Sequence, residues 1–178
     1  MDYTLIRSRR KTLAVQITRD GKVTVRAPFK IPQAKIDAFL AEKAAWIEKH
    51  IIKIVSVARL PKYDDAKIRG FIIALKKILP EKVSRFAAEI GVDYGKITVR
   101  RQRTIWGSCT ANGNLSFNCL LACVPPEISD YVIIHELVHR KYMNHSAAFW
   151  AAVERYCPDY KARRAWLKAR GAEYLNRL

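Results

Sequence analysis

Apolar and polar residues alternate along the first 28 residues of the chain, a period that predicts half-buried β-strands. The run T-L-I-R-S-R-R comes first, and L-A-V-Q-I-T-R-D-G-K-V-T-V-R-A-P comes second. Asp20-Gly21 lies in the middle of the second run and predicts a tight hairpin turn. From about Gln33 to Ile54 the apolar positions recur at helical spacing. Residues 1–62 are therefore predicted to form a basic ββα subdomain.

The pattern changes after this point, and residues 63–178 are predicted to form a second domain. Apolar residues at helical spacing predict a helix from about Ala66 to Ile90, interrupted at Pro80. Gly91 comes directly after the last apolar position, where a glycine commonly ends a helix.

Three strand-like runs come next, K-I-T-V-R-R-Q, T-I-W-G-S-C-T and L-S-F-N-C-L-L-A. Asn112-Gly113 separates the last two and again predicts a hairpin turn. A helix starting at Pro126 is apolar on nearly every side, which predicts that it is buried. Two more helices are expected, one capped by Ser146 and one ending near Gly171.

The charge of the chain is strongly positive, with 33 Lys and Arg against 16 Asp and Glu, a net charge of +17. Such a surface attracts polyanions, so nucleic acid is a candidate partner. No apolar run is long enough to cross a membrane, and no secretory signal pattern opens the chain. Four cysteines without a C-x-x-C motif are expected to be reduced. These features predict a cytoplasmic protein; they leave its oligomeric state open.

Three of the four histidines fall in the segment V-I-I-H-E-L-V-H-R-K-Y-M-N-H. His135 and His139 are four residues apart on the predicted buried helix, so their imidazoles share one face and can hold one ion. Glu136 is about 100° further around, where its carboxylate can reach a metal-bound water. Buried polar residues in an apolar helix are costly without a strong partner, which favours one zinc ion per chain.

A catalytic zinc needs a third protein ligand, and His145 lies six residues beyond His139. This is the metzincin spacing, except that Tyr142 occupies the position of the metzincin turn glycine. If the helix ends near Tyr142, Asn144 is the expected turn residue with a positive φ. Glu154 is an alternative third ligand.

The combination W-G-S-C-T-A-N-G-N-L-S-F-N, Y-V-I-I-H-E-L-V-H and N-H-S-A-A-F-W resembles the YgjP-like metallopeptidases, relatives of the SprT and WLM zinc-protease families. The resemblance extends upstream through R-S-R-R-K-T-L-A-V-Q-I-T-R-D-G-K-V-T-V-R-A-P, so it covers nearly the whole chain. It implies an α+β, minimal zincin-like fold, with the H-E-x-x-H helix packed under a small antiparallel-type sheet. It also implies that His135, His139 and His145 are the zinc ligands and Glu136 the general base.

The sequence thus predicts a zinc metallopeptidase whose Glu136 activates the attacking water on a peptide or protein substrate. The residue that stabilises the oxyanion is left open between Tyr142, Tyr131 and neither of them. Trp106 is expected to be a core residue in preference to a substrate contact. A metal-dependent phosphohydrolase acting on nucleotides or other phosphate substrates is one alternative. A nucleic-acid-binding protein with a zinc site is another, and the peptidase itself could act near nucleic acid.

Overall fold

The computed structural model describes residues 2–18 and 20–178; Met1 and Arg19, both in the predicted N-terminal subdomain, lie outside them. The described chain contains six strands, five α-helices and one 3-10 helix, which confirms the α+β class. It divides into two compact units, one ending at Leu60 and one running from Pro61 to Leu178. The assignment of 1–62 and 63–178 to separate domains stays a prediction.

The first unit is a three-stranded sheet and a helix. Its elements are β1 (Tyr3–Ser8), β2 (Ala14–Ile17), β3 (Val23–Pro28) and α1 (Gln33–Ala58). Strands β2 and β3 form the predicted antiparallel hairpin, whereas β1 pairs with the other edge of β3 in parallel. The prediction of a ββα subdomain is therefore wrong by one strand: the first alternating run joins the same sheet.

Alternation along β3 explains how this unit forms its core. Val23, Val25 and Ala27 are buried, and the residues between them are not. Ile36 and Ile47 of α1 are buried in the same cluster. The strand's period of two and the helix's period of 3.6 each present one apolar face, and packing these faces together removes both from water.

The second unit contains a second three-stranded sheet and four helices. Its strands are β4 (Ile97–Arg100), β5 (Gly107–Cys109) and β6 (Leu115–Asn118), in the order β4-β6-β5. Strand β5 is antiparallel to β6, but β4 is parallel to it. The sheet is thus mixed rather than antiparallel. Strand β5 pairs with one edge of β6 as an antiparallel hairpin, and β4 pairs with the other edge of β6 in parallel. The predicted third strand also ends early, in a 3-10 helix at Cys119–Ala122.

The helices of this unit are α2 (Asp65–Ile90), α3 (Pro126–Val138), α4 (Ala147–Tyr156) and α5 (Tyr160–Leu175). Helix α3 lies at the centre, in contact with α2, α4, α5 and β5. Nine of its thirteen residues are buried, as its apolar sequence predicts. A helix surrounded in this way is held firmly enough to position reactive side chains.

Two predicted helix ends are wrong. Helix α2 continues through Pro80, which is exposed, while Leu79 and Val83 beside it are buried and hold both halves against the core. Helix α5 continues through Gly171, where a Cβ would lie 3.2 Å from Nε1 of Trp106. The glycine at 171 allows α5 to approach the Trp106 ring closely and does not end the helix.

No helix among residues 2–18 and 20–178 has both the length and the apolar character that a membrane span requires.

Two glycines, one at the C-terminal end of α2 and one inside it, give stability predictions of opposite sign. Gly91 caps the helix with φ +71°, a conformation that strains any L residue, so Gly91→Ala should lower the free energy of unfolding by about 1–2 kcal/mol. Gly70 lies inside the helix with open space around its Cα, so Gly70→Ala should raise it by about 0.5–1 kcal/mol. Urea unfolding of the two variants measures both, and shifts in the same direction would contradict the assigned conformations.

Candidate active site

Helix α3 ends earlier than the sequence predicts. Its last residue is Val138, and His139 caps it, so the expected end near Tyr142 is wrong. The turn uses no positive φ at Asn144. The chain instead leaves the helix through turns at Arg140 and Lys141, whose backbone N–H groups donate to carbonyls of α3.

The side chains of these two residues hold the turn in place. Arg140 donates to the Asp93 carbonyl (3.1 Å), the Asp93 carboxylate (3.1 Å) and the Ala111 carbonyl (2.8 Å). Lys141 donates to the Ile90 carbonyl at the end of α2 (2.5 Å). These bonds attach the segment after His139 to α2 and to the β5–β6 connection, so the chain has a defined path toward His145.

The three predicted imidazoles meet at this turn. The ring centroids of His135, His139 and His145 lie 4.9–5.0 Å from one another, and Nε2 of His135 is 3.1 Å from Nε2 of His145. One potential ligand atom from each ring lies within 4.8 Å of the other two. An ion between them would be within reach of all three nitrogens.

Hydrogen bonding selects the nitrogen that His139 presents to the group. Its Nδ1 lies 3.0 Å from the Tyr142 carbonyl oxygen, which can only accept, so Nδ1 carries the proton. Its Nε2 therefore has a free lone pair, the form in which imidazole binds metals. Burial is the main cause of a lowered pKa at His139, and it also lowers the pKa of His135 to about 3. Both rings are thus neutral at physiological pH.

An aromatic residue of α4 fixes the positions of the rings. Phe149 is fully buried, and its ring centroid lies 4.6–4.9 Å from those of all three histidines. Trp150 lies at 5.7 Å from His135 and stacks on His145 at 5.6 Å. Both residues lie in the N-H-S-A-A-F-W motif, but neither the motif nor the apolar face of the helix indicated contact with the imidazoles, so sequence reasoning missed this role.

Glu136 is buried beside the imidazoles, with 6% of its surface exposed. Burial raises the pKa of its carboxyl group to about 8. The backbone of Gly107 in β5 lies against it: a Cβ there would come within 2.7 Å of Oε1 and 2.8 Å of Cγ of Glu136. Glycine at 107 therefore leaves the space that this carboxylate occupies, a role that the W-G-S-C pattern alone does not reveal.

A cavity of about 220 Å³ opens beside this carboxylate, and Tyr131, Trp106 and His135 line it. Tyr142, the other predicted oxyanion donor, is exposed and lines a separate cavity. Burial raises the pKa of Tyr131 to about 12, so its phenol keeps its proton and can donate. The structure thus brings only Tyr131 of the two tyrosines to the cavity that Glu136 lines.

The remaining candidate residues lie outside the imidazole group. Glu154, the alternative third ligand, is paired with Lys161 at 3.1 Å. Trp106 is half-buried, with its ring against both the core and the cavity. Buried Asn118 positions the loop that carries it, donating to the carbonyls of Gln102 (2.6 Å) and Ile105 (2.8 Å).

The H-E-x-x-H segment at the end of α3 places a buried glutamate next to two imidazoles, and His145 adds a third beyond the helix. This is the arrangement of a metallopeptidase. Comparison with known families agrees: the model described as "YgjP-like, metallopeptidase domain" matches residues 11–72 and 53–170. Together the two segments extend over most of the sequence, and the chain belongs to the YgjP-like metallopeptidase family. This confirms the resemblance read from the sequence and the assignment as a metallopeptidase.

A solved structure is also similar, the metallopeptidase zymogen abylysin from Pyrococcus abyssi. The two chains are 22% identical, with a TM-score of 0.46, over 51% of this chain and 94% of that one. A search of curated proteins found no match.

The contact between Gly107 and Glu136 predicts a selective effect on peptidase activity. Gly107→Ala should displace the carboxylate and lower kcat/KM by about 10²-fold, because small misplacements of catalytic groups cost that much. Bound metal should be unchanged, since no imidazole moves. Ser108→Ala, one residue along β5 and on the opposite face, is the matched control. Full activity in the Gly107→Ala variant would contradict the proposed position of the carboxylate.

Burial of Glu136 also predicts a pH-dependent cost in stability for the protein stripped of metal by a chelator. Its pKa is about 8 when folded and 4.5 ordinarily. Between these values the folded chain binds the proton that the unfolded chain has lost, so the free energy of unfolding falls as pH rises. Glu136→Gln should therefore stabilise the chelated protein by about 1–3 kcal/mol at pH 7 and have little effect near pH 4. Urea unfolding at the two pH values measures the difference in free energy of unfolding between the variant and the unsubstituted protein. Equal free energies at pH 7 would show that the carboxylate is not buried.

Proposed function

We propose that this chain is a zinc-dependent peptidase in which His135, His139 and His145 hold the metal and Glu136 is the general base. The observation that carries the proposal is the convergence of the three imidazoles next to a buried carboxylate. Peptide or protein substrates are expected from the metallopeptidase family.

The donor set fits zinc. Neutral imidazole nitrogens suit this ion, and hard cations such as Mg²⁺ prefer oxygen ligands. Three ligands with an open fourth position are typical of catalytic zinc sites, and no fourth His, Cys, Asp or Glu joins the group among the described residues. The bond from Nδ1 of His139 to the Tyr142 carbonyl orients this ring as the outer hydrogen bonds of metal sites do.

Zinc bound there would supply a Lewis acid that lowers the pKa of water toward neutrality and polarises the scissile carbonyl. The positive charge of an ion held by the three imidazoles would favour the ionised form of the Glu136 carboxyl group. In that form Glu136 removes a proton from the attacking water as the water oxygen bonds to the carbonyl carbon. The same carboxyl group then delivers that proton to the amide nitrogen as the carbon–nitrogen bond breaks. Tyr131, which lines the same cavity and keeps its phenolic proton, is the residue that we assign as donor to the developing negative oxygen.

The sheet supplies a place for an extended substrate. Among the described residues β5 lies at the edge of its sheet and pairs with β6 alone, so its outer edge is the place where we propose that a peptide pairs. Gly107 at the start of β5 touches Glu136, and a peptide paired along this edge would pass the carboxylate.

The family, the charge and the cysteines bear on the substrate, a nucleic-acid partner and the location of the protein. The metallopeptidase family favours peptides over the phosphate substrates of the alternative hydrolase. Nucleic-acid binding stays a prediction that rests on the charge of +17. A cytoplasmic location is proposed because all four cysteines are free, as expected in a reducing compartment.

Two substitutions separate metal binding from proton transfer. Glu136→Gln should lower hydrolysis of an unfolded protein substrate by at least about 10³-fold and keep one zinc per chain, because it removes the base but no ligand. His139→Ala should lose both zinc and activity. Metal analysis and a peptidase assay on the same samples measure the two effects.

Glu127→Gln is the control, since it makes the same change at an exposed position in the first turn of α3. It should retain both zinc and activity. A Glu136→Gln variant with normal turnover would overturn the assignment of the base, and a His139→Ala variant with undiminished zinc would overturn the ligand set.

A further inference from the structure

A second cavity, of about 670 Å³, lies along one face of α5. Three cationic residues line it, Lys161, Arg164 and Lys168, together with the aromatic rings of Trp106 and Tyr160. We call this cavity the basic groove. The cations recur at spacings of three and four residues, so they share one face of the helix and span ~10 Å.

The basic groove adjoins the cavity at Glu136. Trp106 and Leu167 line both of them. Trp106 also immediately precedes β5, the edge strand along which we place the substrate backbone. A peptide that extends beyond Gly107 in the direction of Trp106 would therefore bring its next side chains to the groove.

The cations in the groove are under-neutralised, unlike those elsewhere on α5. Arg163 is paired with Asp159 at 2.8 Å and Arg170 with Glu173 at 3.4 Å. Lys161 is paired with Glu154, but Arg164 and Lys168 have no carboxylate within ion-pair distance in the described chain. Arg164 and Lys168 thus place two positive charges without a carboxylate partner on the helix face that lines the basic groove.

Arg164 lies over an aromatic ring. Its guanidinium is 4.5 Å from the centroid of Trp150, whose ring also stacks with Tyr160 (5.4 Å) and with His145 (5.6 Å). A guanidinium stacked in this way keeps its edge free to donate two parallel hydrogen bonds to a carboxylate. The contact with Trp150 reduces the side-chain freedom that Arg164 loses when an anion binds.

We propose that the basic groove binds acidic side chains of the peptide substrate, on the Trp106 side of the bond to be cleaved. This inference rests on the proposed function and adds a substrate preference to it. A groove with three cations over ~10 Å can accept more than one carboxylate, as an acidic segment offers, whereas a chain terminus supplies only one. The net charge of +17 would also speed the approach of acidic substrates.

Binding to the Glu136→Gln variant tests the groove separately from turnover. Calorimetry would compare a peptide containing two glutamates, its two-glutamine counterpart, and the glutamate peptide with an amidated C-terminus. The same three peptides are measured with Arg164→Gln/Lys168→Gln added. Lys76→Gln/Lys77→Gln is the matched control, because it removes the same charge from exposed lysines of α2 that line neither cavity.

The glutamate peptide should bind about three- to ten-fold more tightly than the glutamine peptide, as expected for two partly exposed ion pairs. The double substitution in the groove should abolish this preference, and the α2 control should keep most of it. Equal binding of the two peptides, or the same loss in the control, would overturn the proposal.

The amidated peptide identifies which carboxylate binds. Unchanged affinity supports side-chain recognition, and a loss as large as that of the glutamine peptide would overturn it in favour of the chain terminus. Cleavage assays with the unsubstituted protein distinguish the two proposals: a binding preference that persists without any cleavage would reject the peptidase function and support the groove.

Discussion

The position of the third imidazole depends on the turn between His139 and His145. Helix α3 ends at Val138, and the hydrogen bonds of Arg140 and Lys141 tie the next residues of the chain to α2 and to the β5–β6 connection. Phe149 then contacts all three rings from α4. The three imidazoles are therefore positioned by ring packing and by hydrogen bonds from side chains to the main chain, which is the preorganisation that a catalytic site requires.

This arrangement has a cost in stability, which the rest of the second unit offsets. Helix α3 buries an ionisable carboxyl group and an imidazole whose Nδ1 has no partner among the described residues. Both are unfavourable in an apolar environment. The helix is nevertheless surrounded by α2, α4, α5 and β5, and its apolar residues contribute to the largest core cluster. The free energy gained by burying the apolar residues of α3 thus offsets the cost of burying its carboxyl and imidazole groups.

Elements with strong local signals were predictable from the sequence, and those that depend on distant partners were not. The hairpin at Asp20-Gly21 and the helix end at Gly91 result from local turn chemistry. The histidine spacing similarly predicted a convergence that the structure shows. Pro80 and Gly171 misled the prediction because tertiary packing overrides local breakers. Periodicity does not reveal contacts between residues far apart in sequence. These include the parallel pairing of β1 with β3 and of β4 with β6, the contact of Gly107 with Glu136, and the contact of Arg164 with Trp150.

The central claim is that three imidazoles hold one zinc ion and leave one position for water. X-ray absorption spectroscopy of the zinc-loaded protein measures the ligands directly. We expect three nitrogen scatterers with imidazole features at ~2.0–2.1 Å, one oxygen, and no sulfur. A sulfur at ~2.3 Å, or fewer than three imidazoles, would contradict the claim.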